Sequence, residues 1–192
     1  MKICILYGGL SSEREVSLNT GKSIYYAICD DYDIIMHDWD GDYQSMYNVV
    51  KDIDLVFIAL HGGEGEDGTM QRYLESKNIK FTGSDSRASQ DAMDKDQAKM
   101  LCQEHNIPTP LWTLNCYGEG YYTDITGRKS IAEKFISSGF VVKPVNEGSS
   151  FGITIFKKYP SEDEFLKSLH ETFTNISHRV MLEEYVDGRE LA

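Results

Sequence analysis

The sequence predicts an α/β fold followed by an α+β fold, and three observations carry that reading. Strand-length apolar runs ending in glycines alternate with helical patterns through the first half; Asn106-Ile107-Pro108-Thr109-Pro110 interrupts the chain; and beyond it strands and helices no longer alternate one for one. Lys2 to Tyr7 is a first strand that runs into Gly8-Gly9. Ser12 and Glu15 have capping-box spacing ahead of a helical pattern that continues to Cys29. Tyr32 to His37 reads as a second strand. Asp54 to Leu60 reads as a third, apolar along nearly its whole length, as in a parallel sheet covered on both faces. A helix over Gly68 to Lys77, a short strand over Ile79 to Thr82 and a longer helix from Ser84 to His105 complete a doubly wound parallel-sheet unit. After the prolines the pattern gives a strand at Leu111 to Cys116 and a Gly- and Tyr-rich loop. A helix at Lys129 to Ser138 and strands at Phe140 to Val145 and Gly152 to Lys157 follow. A helix at Ser161 to Thr174, a strand at Arg179 to Glu183 and a polar segment to Ala192 end the chain.

Composition narrows the function classes. With 192 residues of which 41% are hydrophobic, the chain can bury a real core. Its 19 Lys+Arg against 31 Asp+Glu leave a net charge of -12, which repels nucleic-acid phosphates and anionic lipid heads. Neither nucleic acid nor a membrane is therefore expected as a partner. Any phosphate site must be a local cationic or backbone N–H feature. Cys4, Cys29, Cys102 and Cys116 form no CxxC pair, and Met1-Lys2-Ile3-Cys4 enters a strand without a signal-peptide profile, so a reducing cytoplasm is the expected compartment.

Two glycine-rich segments compete for a nucleotide. Gly63-Glu64-Gly65-Glu66-Asp67-Gly68 matches GxGxxG between a strand and a helix, but three carboxylates would face the pyrophosphate; an acidic loop capping the next helix is the better reading. Lys143 to Gly152 lies between two strands. Gly148 and Gly152 allow close backbone approach, Ser149 and Ser150 add hydroxyls and Lys143 adds a fixed charge, so the loop can fold over a triphosphate or be an ordinary hairpin connection. A GxxxxGK[ST] run is lacking, which excludes a P-loop. Lys95, flanked by Asp94 and Asp96, reads by itself as a solvated helix lysine. The end of the last strand, Glu183-Glu184-Tyr185-Val186, offers backbone to an adenine edge, and Glu190 an acceptor to ribose, or the segment is an acidic turn. The five histidines have no zinc spacing, and His61 stands out only because it follows a strand of the sheet at its ligand-binding end. No GxSxG elbow is present.

Five segments in order, GGLSSEREVSLNTG (8 to 21), LHGGEGEDGTMQ (60 to 71), FTGSDSRASQDAMDKDQAK (81 to 99), VVKPVNEGSSFGI (141 to 153) and LEEYVDGREL (182 to 191), resemble the D-alanine-D-alanine ligases of the ATP-grasp superfamily. The resemblance implies a preATP-grasp α/β domain over 1–84. It also implies a linker helix with a central ATP-grasp subdomain over 85–182, and the start of a C-terminal grasp subdomain over 183–192, incomplete as given. The implied activity is ATP-dependent joining of two D-alanines through an acyl phosphate, for peptidoglycan and hence cell-wall biogenesis and cell shape. Glu13 and Ser149 take the catalytic positions and share a network at the first D-alanine, with His61 beside it. ATP is held by Lys95, Lys143, Glu147, Gly148, Ser149, Ser150, Glu183, Glu184, Tyr185, Val186 and Glu190. The cofactors are ATP and Mg2+ or Mn2+, with the metal carboxylates expected downstream of residue 192 and none in this chain, so these residues alone are expected to be inactive. D-alanine and ATP are the implied partners, and a homodimer is left open. Arg72 stands where glycine is common, and Asp85 to Asp91 is more polar than usual. A D-Ala-D-Ser or D-Ala-D-lactate ligase stays open, as do, in other classes, an NAD-binding oxidoreductase and a non-catalytic nucleotide-binding module.

Overall fold

The computed structural model describes residues 1–116, 135, 137–175 and 178–189. Its contacts divide the chain into two units, Met1–Met93 and Asp94–Ala192. In the first, β1 (Lys2–Gly8) lies between β2 (Asp33–Trp39) and β3 (Leu55–Ile58), all parallel, in the order β2-β1-β3. The central strand is the apolar one: Ile3, Cys4, Ile5 and Leu6 are buried. Burial pushes the Cys4 thiol up to about 12, so it is a packing residue rather than a nucleophile.

Helices α1 (Arg14–Ile28), α2 (Tyr43–Val50), α3 (Thr69–Ser76) and α4 (Ser86–Met93) accompany this sheet. The expected Ser12–Glu15 capping box does not form. Glu13 occupies the cap of α1 without a side-chain cap bond, because the chain is still turning at Ser11, whose Oγ accepts the Glu13 N–H at 3.1 Å. Helix α2 went unread in the sequence. It is capped by Asp42, which accepts from the N–H groups of Gln44 and Ser45, and it buries Met46 and Val50, four apart. The expected strand at Ile79 to Thr82 is a single parallel bridge, Val56 with Phe81. Cys4, Leu6, Trp39, Met46, Val50, Val56, Leu60, Met70 and Leu74 form the core.

The helix expected from Ser84 to His105 is broken. Asp94 adopts extended backbone (φ -79, ψ 101) and caps a new helix, α5 (Lys95–Glu104), by accepting from Asp96 and Gln97 N–H. Asparate caps favour this because the carboxylate satisfies amide donors that have no partner inside the helix. The division between units falls at this cap, and the Asn106 to Pro110 breaker becomes the connection from α5 to β4 within the second unit.

That unit contains β4 (Trp112–Cys116), β5 (Phe140–Pro144), β6 (Thr154–Phe156), α6 (Glu162–Asn175) and β7 (Arg179–Glu184). The sheet is antiparallel, in the order β4-β7-β5-β6. Residue 183 therefore lies inside a strand with neighbours on both sides. Period-two alternation sorts the faces. Phe140 and Val142 of β5 and Val180 and Leu182 of β7 form a core with Phe135 and Leu169, against which Phe156, Phe165 and Phe173 pack. Phe165, Leu169 and Phe173 are four apart on α6, one helical face over one sheet face. Lys143, Arg179, Met181 and Glu183 alternate with those positions and belong to the other face. Of the expected helix at Lys129 to Ser138, only Phe135, Ser137 and Ser138 are described, and they are helical.

Candidate functional site

The C-terminal ends of parallel strands are where open α/β sheets receive ligands, and in the first unit two serines tie those ends together. Ser17 Oγ is buried, accepts from Gly8 N–H at 2.8 Å and donates to the Ala59 carbonyl at 2.7 Å. Ser11 Oγ donates to the His61 carbonyl at 2.5 Å. Both escaped the sequence reading; the signal was small hydroxyl residues on either side of Glu13. Glu13 carries its carboxylate to Gly62, where an added Cβ would lie 2.6 Å from Glu13 Oε2 on a backbone already at φ +65, so glycine is required there. His61 has Nε2 2.9 Å from Thr20 Oγ1 and Nδ1 3.5 Å from Glu66 Oε1. A pocket of about 180 Å³ lies at these strand ends, lined by Gly9, Ser11, Trp39, Leu60, His61 and Gly62 among others.

The acidic loop is occupied with its own surroundings. Glu64 accepts from Tyr43 Oη at 2.6 Å, and burial together with that bond raises the Tyr43 phenol. Asp67 accepts from Thr69 N–H at 2.8 Å, the helix-capping role expected of the loop. Glu66 stands against His61.

The second unit brings Lys95, Lys143 and Glu183 onto one face of its sheet and adds a lysine that the sequence reading missed. Lys143 Nζ pairs with Glu183 Oε2, and Lys99 Nζ with Glu183 Oε1 at 2.5 Å. Burial pushes the Glu183 carboxyl up, but the hydrogen bonds from Lys143 and Lys99 outweigh it and hold the group below its ordinary range. Lys99 is four residues after Lys95, on the same helix face; that spacing was its available signal. It also donates to Thr109 Oγ1 at 2.7 Å and lies 5.0 Å from the centre of the Trp112 ring. Lys95 donates to the carbonyls of Val145, at 3.2 Å, and Glu147, so it props the base of the glycine-serine loop. Burial and then repulsion from Lys143 lower its ammonium pKa. Arg179 pairs with Asp94 and lies 3.6 Å from Asp96.

Glu147, Gly148, Ser149 and Ser150 are exposed, with Phe151 N–H closing a turn onto the Gly148 carbonyl at 3.0 Å. Ser149 and Ser150 have φ +48 and +59, a left-handed region that L residues rarely occupy. The backbone of β7 is less open than the sequence suggested. Glu184 N–H donates to Leu111 at 2.8 Å and Tyr185 N–H to Gly139 at 3.1 Å, because β7 is central and not an edge. Val186, 62% exposed, is the first residue past that pairing. Glu190 lies outside the described residues. Among the described residues no three His, Cys, Asp or Glu side chains converge into a group that could hold a metal ion. Nor is any described helix long and apolar enough to cross a membrane.

Residues 41–84 match the family model described as D-ala D-ala ligase N-terminus, and residues 101–192 the one described as D-ala D-ala ligase C-terminus, together well over half of the chain. A D-alanine--D-alanine ligase of Aquifex aeolicus is 38% identical over 192 residues, covering 100% of this chain and 61% of that protein. One of Geotalea uraniireducens is 38% identical over 191 residues, covering 99% and 57%. The crystal structure of the Bacillus anthracis ligase superposes with a TM-score of 0.81 at 32% identity, covering 98% of this chain and 58% of that one; the same enzyme complexed with ATP gives 0.80 at 31%. The chain thus spans about 60% of the length of the relatives it matches. With both family models matched in order on an α/β unit followed by an antiparallel α+β unit, the chain belongs to the D-alanine-D-alanine ligase family.

Proposed function

We propose that this chain supplies the nucleotide-phosphate cradle and part of the amino-acid site of a cytoplasmic ligase that joins two D-alanines at the expense of ATP, for cell-wall peptidoglycan. The domain division at 84/85 and 182/183 belongs to this proposal. In the reaction a carboxylate oxygen of the first D-alanine attacks the γ-phosphorus and ADP leaves. The amine of the second D-alanine then attacks the acyl-phosphate carbon, loses a proton, and phosphate departs as the peptide bond forms. Phosphoryl transfer needs charge neutralised and the nucleotide held still more than it needs covalent help.

The observation that carries the reading is the convergence of Lys95 and Lys143 beside the Glu147 to Gly152 loop, whose base Lys95 already holds. In this reading both ammonium groups take phosphate oxygens, with Gly148, Ser149 and Ser150 closing over them. Glu183, Glu184, Tyr185 and Val186 border the adenine, Val186 offering the first backbone beyond the β-ladder, and Glu190 takes the ribose. Glu183 also pairs with Lys143 and Lys99. Glu13 accepts from the ammonium of the first D-alanine, a role suited to a carboxylate at the rim of the strand-end pocket, and His61 lies beside that substrate. Ser149 is assigned a hydrogen bond to the substrate as well as to the nucleotide. Mg2+ or Mn2+ would supply charge neutralisation on the phosphates in the whole ligase.

Lys143→Ala tests this in the whole ligase. D-alanine-dependent ADP release should fall about a hundredfold or more, the scale on which a cationic group at the transferring phosphoryl acts. Unchanged turnover would remove the assignment.

A further inference from the structure

Glu183 is the only carboxylate that the lysines of this sheet face share as a direct partner among the described ion pairs, and its two oxygens are divided: Oε1 to Lys99, Oε2 to Lys143. The two lysines differ in what else they touch. Lys99, with its side chain 9% exposed, is fully engaged by Glu183, Thr109 Oγ1 and the face of Trp112. Lys143 is 17% exposed and its described bond is to Glu183. A phosphate reaching Lys143 competes for that ammonium with a carboxylate that is itself only 14% exposed. Leaving such a carboxylate without a cation is costly, far more so than sharing it between two.

We propose that Lys99 is a positioning residue for the nucleotide site: it holds Glu183 as a standing counter-charge, so that Lys143 can leave that carboxylate for a phosphate. Lys99 itself does not touch the nucleotide. The inference rests on the proposed nucleotide reading of this face, and it deepens that reading by separating the lysines into ligands and a support. Groups facing Glu183 are Lys99 from α5 and Lys143 from β5, with Lys95 of α5 close enough to interact electrostatically. Asp94 and Asp96 are engaged by Arg179, and Asp96 also accepts from Trp112 Nε1 at 2.7 Å, so they do not substitute for Glu183.

The test uses Lys99→Met, Lys99→Arg and the pair Lys99→Met with Glu183→Gln, each checked for an intact fold by its thermal melt. Calorimetric titration with ATP and with inorganic tripolyphosphate should show about a tenfold loss of affinity in K99M, the equivalent of one charge-assisted bond. Arginine should restore most of it, and for tripolyphosphate, which offers Glu183 no adenine, so should the K99M/E183Q pair, because a neutral amide no longer holds Lys143. A purely structural lysine would not be rescued by removing its partner's charge. A second readout needs no nucleotide: trace acetylation followed by mass spectrometry should find Lys143 several-fold less reactive in K99M and recovered in the pair. Equal Lys143 reactivity in wild type and K99M overturns the positioning role. Failure of the wild-type chain to bind either ligand, with the reactivity change present, overturns the nucleotide reading alone.

Discussion

At the strand ends of the first unit, two serine hydroxyls tie the turns beside the pocket together, with the His61–Glu66 contact as the charged exception there, whereas the groups on the sheet face of the second are held by charge. Ser11 and Ser17 join Gly8, Ala59 and His61 through backbone amides and carbonyls, bonds that set the positions of two turns without adding an ion. Lys99, Lys143 and Glu183 hold one another by ion pairs, and their geometry depends on ionisation. Neutral bonds fix the shape of a pocket whatever the pH. Shared charges leave lysines able to exchange one anionic partner for another, as the proposed nucleotide site requires.

The difference is broken most severely by Glu183→Ala. It leaves Lys99 and Lys143 partly buried without their carboxylate, and a loss of about 3 kcal/mol or more of stability is expected, read from denaturant unfolding of the second unit. The same pair predicts a pH dependence. Glu183 has a folded pKa below its ordinary value of 4.5, so its contribution is complete above that value and is lost as the pH falls through the lower folded one. Urea midpoints that stay flat on acidification in the wild type but not in E183A would reverse the argument.

Ser17→Ala should cost less, about 1 to 3 kcal/mol, because it orphans one buried amide donor and one carbonyl rather than two ions. Its effect should be independent of pH between 3 and 8, roughly the range in which only carboxylates and histidines titrate. A pH-dependent loss in S17A would mean that the first unit also relies on charge.

The same contrast explains what could be read beforehand. Apolar runs ending in glycines located β1 and β3, and placed His61 at the ligand-binding end of a strand, since burial and turn geometry both leave marks in local sequence. Lys95 reads by itself as a solvated helix lysine, and Lys143 and Glu183 leave two readings open until the family resemblance is used, because a lysine that is buried in a pair is written like a solvated one. Lys99 stayed hidden for that reason: its partners Thr109, Trp112 and Glu183 are 10, 13 and 84 positions away, and only folding brings them together. Asp94 was likewise read as a flank of Lys95, when its capping carboxylate is what splits the long helix. The Ser12–Glu15 spacing misled in the opposite direction, a matching local motif overruled by Ser11, which is bonded to a residue fifty positions on.

The smallest expected effect concerns the turns themselves. In the first unit the residues that must adopt positive φ at the strand ends are glycines, Gly8, Gly9, Gly62 and Gly63, whereas the loop above the lysines uses Ser149 and Ser150. A side chain in that conformation costs about 1 kcal/mol, and glycine gives back roughly 0.4 to 1 through a more flexible unfolded chain. Ser150→Gly should therefore change stability by no more than about 0.5 kcal/mol, with stabilisation the favoured direction. If the hydroxyl is kept there to donate to phosphate, the same substitution should weaken ATP several-fold, the worth of one hydrogen bond to a charged group. Affinity and stability then move in opposite directions. A variant that gains stability and keeps its ATP affinity would show that the strained serine is not retained for the nucleotide, and the second unit's loop would be no different in kind from the glycine turns of the first.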